Sequence, residues 1–154
     1  MHTSEKIGVA QIGSKHGHAI SVLSTIINNP RVNFIGLYEP DLNRRNELKK
    51  FNNFPFNKIN FIEEEERIYH DDVFAIASEG SNIESLEHTY YALKNGKHVF
   101  YDKPAGEDIK LFTKVIDVAK KNNLHLQLGY MFRYHQGFKK ITELIKSGKI
   151  GKIF

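Results

Sequence analysis

The sequence predicts an α/β fold, a doubly wound parallel sheet with helices on both faces, and three observations predict it. Short apolar runs alternate with stretches of helical periodicity along nearly the whole chain. Those runs are apolar at consecutive positions, as strands buried on both faces require. The first run ends in a glycine-containing loop that opens into a helix-like stretch, the place where such sheets hold phosphate.

The elements follow in order. The run Ile7–Ile12 is bounded by Gly13 and reads as the first strand. Ile20, Leu23, Ile26 and Ile27 then recur at helical spacing until Asn28, Asn29 and Pro30 stop them. Val32–Tyr38 is the second strand, and a polar helix that Asp41 can cap runs from there toward Phe51. Residues 54–72 have aromatic residues, an acidic run from Glu63 to Glu66 and no clear period, so an irregular connection with room for one short strand is expected. Residues 73–77 form the next buried run, and Ile83, Leu86, Tyr90 and Leu93 make an apolar stripe that ends at Gly96, a helix stop. Residues 97–101 read as strand, and Phe112, Val115, Ile116 and Ala119 mark the buried face of a helix before Asn122. Residues 124–130 return to strand. Phe138, Ile141, Leu144 and Ile145 define a last helix ending near Gly148, after which residues 150–154 read as the start of a further strand.

Length and composition bound the function. A chain of 154 residues supports one compact domain. The formal net charge of +4 invites an anionic partner, yet Lys49, Lys50, Lys110, Lys114, Lys120 and Lys121 fall in helical stretches beside acidic residues, as solvated faces do. No nucleic-acid motif accompanies the charge, so no nucleic-acid partner is expected. Cysteine is absent and no secretory pattern opens the chain, which makes a reducing cytoplasm the expected location. Every apolar run is interrupted before the roughly 18 residues a membrane span needs, so no membrane association is expected.

A pyrophosphate site needs backbone N–H groups, close approach without side chains and the positive end of a helix. The usual G-x-G-x-x-G fingerprint appears here as Gln11-Ile12-Gly13-Ser14-Lys15-His16-Gly17, with Gln at the first glycine and the last glycine moved by one. Gly13 and Gly17 supply flexibility, and Ser14, Lys15 and His16 are candidate phosphate contacts. A turn that merely joins strand to helix would show the same residues. Glu39 lies at the tip of the second strand, where a carboxylate accepts hydrogen bonds from adenosine ribose hydroxyls and repels a ribose 2′-phosphate. It therefore favours NAD, while Arg44 and Arg45 nearby keep NADP open. His16 and His18 lack a further His or carboxylate at local metal spacing, so no metal is expected. His88 and His98 read as partly buried structural residues, and His135 as a helix-opening one.

The stretch Ala92-Leu93-Lys94-Asn95-Gly96-Lys97-His98-Val99-Phe100-Tyr101-Asp102-Lys103-Pro104 resembles a motif of the Gfo/Idh/MocA family, A-L-x-x-G-K-H-V followed by E-K-P, with Asp102 standing for Glu. Asn82 and Glu87, the run from Gly129 to Tyr134, and the run from Glu143 to Gly151 extend the similarity over nearly the whole chain. The resemblance implies a Rossmann-like NAD(P)-binding domain. It also implies hydride transfer to or from a hydroxyl of a sugar, polyol or related small molecule. Lys103 is then the catalytic candidate, beside the nicotinamide and hydrogen-bonded to the reacting hydroxyl, where an ammonium can stabilise negative charge developing on oxygen. Pro104 follows it, in relatives often through a cis bond. Asn82, Asp102 and Lys103 join the cofactor set, and Tyr130 and Arg133 fall on the substrate side. Ser81 and Ser85 depart from the Pro and His usual around Asn82. Residues 1–130 are then the dinucleotide-binding domain, and 131–154 a linking helix plus the start of a C-terminal substrate domain absent from this chain. A homo-oligomer is compatible with this reading. The alternative is a nucleotide-binding or partner-binding module without catalytic activity.

Overall fold

In a computed structural model, which describes residues 5–153, the strands form one six-stranded parallel sheet in the order β3-β2-β1-β4-β5-β6. Its strands are β1 (Ile7–Ile12), β2 (Val32–Tyr38), β3 (Phe61–Ile62), β4 (Ala75–Ser78), β5 (His98–Tyr101) and β6 (Leu126–Leu128). The helices are α1 (Ala19–Asn28), α2 (Leu42–Leu48), α3 (Asn82–Lys94), α4 (Ile109–Lys121) and α5 (Gln136–Lys146). β1 pairs with β2 from Ile7 opposite Val32 to Ile12 opposite Tyr38, and with β4 from Val9 opposite Ala75 to Ile12 opposite Ser78. The chain winds outward from β1 through β2 to β3, then returns to β4 and winds the other way. Right-handed crossovers in opposite directions put their helices on opposite faces, and the crevice between the carboxyl ends of β1 and β4 is the switch point where such sheets take ligands.

Local chemistry fixes the element ends. Asp41 caps α2 by accepting from the N–H groups of Asn43 and Arg44, and Asp108 caps α4 by accepting from Lys110 and Leu111. Ser81 and Glu84 form a reciprocal capping box on α3, which stops at Gly96 with φ +75°. The core runs through Ile12, Ile76, Leu86, Leu93, Tyr101 and Val115, all at most 2% exposed.

Three expectations need correction. The fourth strand begins at Ala75, two residues late, because Phe74 points outward at 49% exposure while Val73 is buried just before the ladder. β6 is confined to Leu126–Leu128; it has a single neighbour, and its ladder ends where Gly129 N donates to Tyr101 O at 2.9 Å. Residues 150–153 form no strand. Gly148 and Gly151 turn the chain with φ of +70° and +76°, and an extended segment without a neighbouring strand has no ladder to join. Phe154 lies outside the described residues. No residue of α5 is buried, and Phe138, Ile141 and Ile145 are 41–50% exposed. Among the described residues, no helix is long and apolar enough to cross a membrane.

Candidate functional site

The loop from Gly13 to His18 occupies the switch point and is held from both sides. Gly13 N donates to Tyr38 O at 2.8 Å, and His16 N donates to Glu79 O at 3.0 Å. Gly13 has φ +79°, and a Cβ on it would come 2.6 Å from Gly80, so the position requires glycine for conformation and for space. Gly17 differs: a Cβ there would meet nothing within 4 Å, and the loop is open on that side. Gln11, at the usual first glycine, is fully buried and donates through Nε2 to Gly13 O and Ala19 O. Its side chain braces the loop from inside. Among the described residues, the N–H groups of Ser14, Lys15 and Gly17 have no acceptor. Unpaired N–H groups beside the start of α1 fit an anionic phosphate.

Side chains close the β2 side of the loop. Glu39 is 1% exposed; Ser14 Oγ donates to one of its oxygens and Asp41 N to the other. Arg44 Nε donates to Ser14 Oγ at 3.3 Å, which brings a guanidinium to the strand tip. Lys15 bridges Asp41 at 3.2 Å and Glu84 at 2.9 Å, joining the loop to the starts of α2 and α3. Burial alone would raise the Glu84 carboxyl, but hydrogen bonds from Lys15 and Ser81 hold it down at about 2.

On the β5 side, residues far apart in sequence converge. His18 Nδ1 lies 2.7 Å from Asp102 Oδ2, and His16 Nδ1 lies 3.4 Å from that oxygen and 3.4 Å from Glu79 Oε2. Glu79 is fully buried, and among the described residues neither of its carboxyl oxygens has a hydrogen-bond partner. Burial, helped by the nearby Asp102 charge, pushes its pKa up to about 8. Gly129 makes this packing feasible, since a Cβ there would sit 2.5 Å from Asp102 Oδ1. The expectation of no metal rested on the absence of a further ligand near His16 and His18 in sequence. The fold brings an acidic side chain there from far along the chain, with N and O atoms of His16, His18 and Asp102 all within 4.8 Å of one another.

Lys103 is exposed next to this cluster, its peptide bond to Pro104 is cis, and its carbonyl lies 3.0 Å from His16 Nε2. Asn82 is the exposed first residue of α3. His18, Asp102 and Tyr130 line a cavity of about 690 Å³ against one face of the sheet. Arg133 lies apart from it, in a smaller cleft of about 220 Å³ that Tyr130 shares. Sequence reasoning missed Glu79, although its place just past the buried run of β4 at the binding edge of the sheet was a usable signal. It passed over His18 because Asp102 lies 84 residues away.

Residues 7–130 match the family model GFO_IDH_MocA, described as an oxidoreductase family with an NAD-binding Rossmann fold. A myo-inositol 2-dehydrogenase of Thermotoga maritima is 25% identical over 146 residues, covering 95% of this chain and 41% of that protein. An inositol 2-dehydrogenase of Salmonella typhimurium is 32% identical over 90 residues, 54% of this chain and 27% of that protein. The solved scyllo-inositol dehydrogenase of Lactobacillus casei superimposes with a TM-score of 0.78 at 24% identity, covering 98% of this chain and 44% of that one. The chain thus spans less than half the length of these relatives.

Proposed function

Since the chain belongs to the Gfo/Idh/MocA oxidoreductase family, with its NAD-binding Rossmann fold, we propose that it is the nucleotide-binding part of an NAD-dependent dehydrogenase acting on a sugar or polyol hydroxyl. The observation that carries this reading is the glycine loop at the β1/β4 switch point, with three unpaired N–H groups and the Glu39 carboxylate at the neighbouring strand tip. Ser14, Lys15, His16 and Gly17 surround the pyrophosphate; Glu39 takes the adenosine ribose once Ser14 yields; Asn82, Asp102 and Lys103 flank the nicotinamide. The polyol class is supported by the inositol dehydrogenases among the relatives.

The nicotinamide supplies the hydride acceptor or donor. The chain's contribution is electrostatic: the Lys103 ammonium faces the reacting oxygen, stabilises charge developing there and exchanges a proton with it. Tyr130 and Arg133 belong to the substrate side. Residues 131–153 pack their exposed apolar side chains against a second, substrate-binding domain, which leaves 1–130 as the nucleotide domain. A nucleotide-binding module without turnover is the second reading, favoured by the engagement of both Glu39 oxygens within the protein.

Turnover separates the two. When the chain is joined to a substrate domain, Lys103→Ala should lower kcat by about 10² or more, the scale of a lost positioned electrostatic or acid–base group. Melting temperature and cofactor affinity should stay put. Lys103→Arg keeps charge but cannot release a proton near neutral pH, so it should be impaired as well. Normal kcat in the Ala variant would sink the catalytic assignment.

A further inference from the structure

We propose that His16, His18 and Asp102 bind one divalent transition-metal ion beside the buried Glu79 carboxyl, which pins the glycine loop to the carboxyl end of β5. This goes beyond the nucleotide reading and concerns the chain with no nucleotide bound.

Proton positions carry the first step. The Lys103 carbonyl can only accept, so His16 Nε2 carries the hydrogen of that 3.0 Å contact. The backbone N–H of His18 donates to His16 Nδ1 at 3.2 Å, so Nδ1 carries no proton, and an ion reaches its lone pair by displacing this long contact. Facing that lone pair at 3.4 Å each are Glu79 Oε2 and Asp102 Oδ2. Three electron-rich atoms therefore converge, and one belongs to the fully buried Glu79 carboxyl, which has no hydrogen-bond partner among the described residues. A buried carboxyl without a partner is costly to ionise, and a cation beside it offsets that cost.

The spacing agrees. Two donors about 2.1 Å from one tetrahedral ion lie about 3.4 Å apart. The His18 to Asp102 separation of 2.7 Å is a hydrogen bond with Nδ1–H donating, and it widens when His18 takes the other tautomer, with the proton on Nε2 and Nδ1 free for the ion. The surroundings match an orienting outer shell: a ligating His that donates its other N–H to a backbone carbonyl is the usual arrangement. Lys103 N donates to Asp102 Oδ1 at 2.6 Å, which turns Oδ2 toward the histidines. A dication meets the charged Asp102 carboxylate with both imidazoles neutral. Two imidazoles with one carboxylate suit zinc and its first-row neighbours, whereas calcium and magnesium prefer oxygen alone.

The test uses the 154-residue chain stripped with a chelator, then titrated with Zn²⁺ by calorimetry and with Co²⁺ by visible absorption. One equivalent of each ion should bind, Zn²⁺ should raise the melting temperature by mass action, and Co²⁺ should show a ligand-field band. Glu79→Gln and His18→Gln should each weaken binding at least about tenfold. His125→Gln, at the distant His98–His125 pair, should leave it unchanged. Both carboxamide variants keep side-chain size, and circular dichroism checks that they fold. Absence of one-equivalent Zn²⁺ binding overturns the proposal. So does binding that persists in both site variants, or that disappears with His125→Gln.

Discussion

Glu39 bears on nucleotide choice through charge, and its neighbours set the size of the effect. A carboxylate at the β2 tip repels a ribose 2′-phosphate, but Arg44 lies within hydrogen-bonding distance of Ser14, which itself bonds Glu39. Glu39→Ala should therefore narrow the gap between NADH and NADPH affinity, and Arg44→Ala should widen it, both read by calorimetry. Opposite signs would place the ribose elsewhere. Glu79 gives a second prediction at this scale. Its pKa is raised from 4.5 to about 8 in the fold, so the folded state holds more protons than the unfolded state between those values. Its contribution to stability is fully present below about 4.5 and lost as pH rises through about 8. In chelator-treated protein, denaturant midpoints should fall across that window, and Glu79→Gln should flatten the decline. A wild-type curve as flat as the variant's would contradict the burial argument.

Among elements, the β1–α1 loop separates structural from ligand-directed glycine. Gly13→Ala forces a side chain into the Gly80 backbone at positive φ, so the melting temperature should drop sharply. Gly17→Ala meets neither obstacle and should leave melting unchanged while weakening nucleotide binding, because the added methyl stands on the open side of the loop. A Gly17→Ala protein with full affinity would remove that side from the binding surface. Ser81→Ala breaks the α3 capping box and should cost about 1 kcal/mol, read as a melting shift of a few degrees. The elements were legible because apolar periodicity and caps are local: Asp41 and Gly96 stand where the sequence put the start of α2 and the end of α3. β3 was less so, since a two-residue strand carries no period, and the expected strand at 150–154 failed because pairing depends on a neighbour.

Over the whole molecule, the six-stranded sheet with β1 at its centre brings the glycine loop, Glu39, Glu79 and Asp102 to one edge. That edge was legible in outline, since alternating strands and helices fix the fold class and the first loop marks its binding end. Its interior was not. Glu79 and Asp102 meet His16 only through the lateral pairing of β1, β4 and β5, a relation that spacing along the chain does not encode. The exposed stripe of Phe138, Ile141 and Ile145 leaves a different signature: replacing Phe138 and Ile141 with Ser should reduce self-association in light scattering yet barely change melting, because neither side chain is in the core. A large loss of stability would make α5 part of the core. Nucleotide binding tests the central claim most directly. Calorimetric titration of the chelator-treated chain with NADH, and separately with NADPH, should give one equivalent of NADH bound with a lower Kd than NADPH; binding of neither would contradict a nucleotide site at this edge.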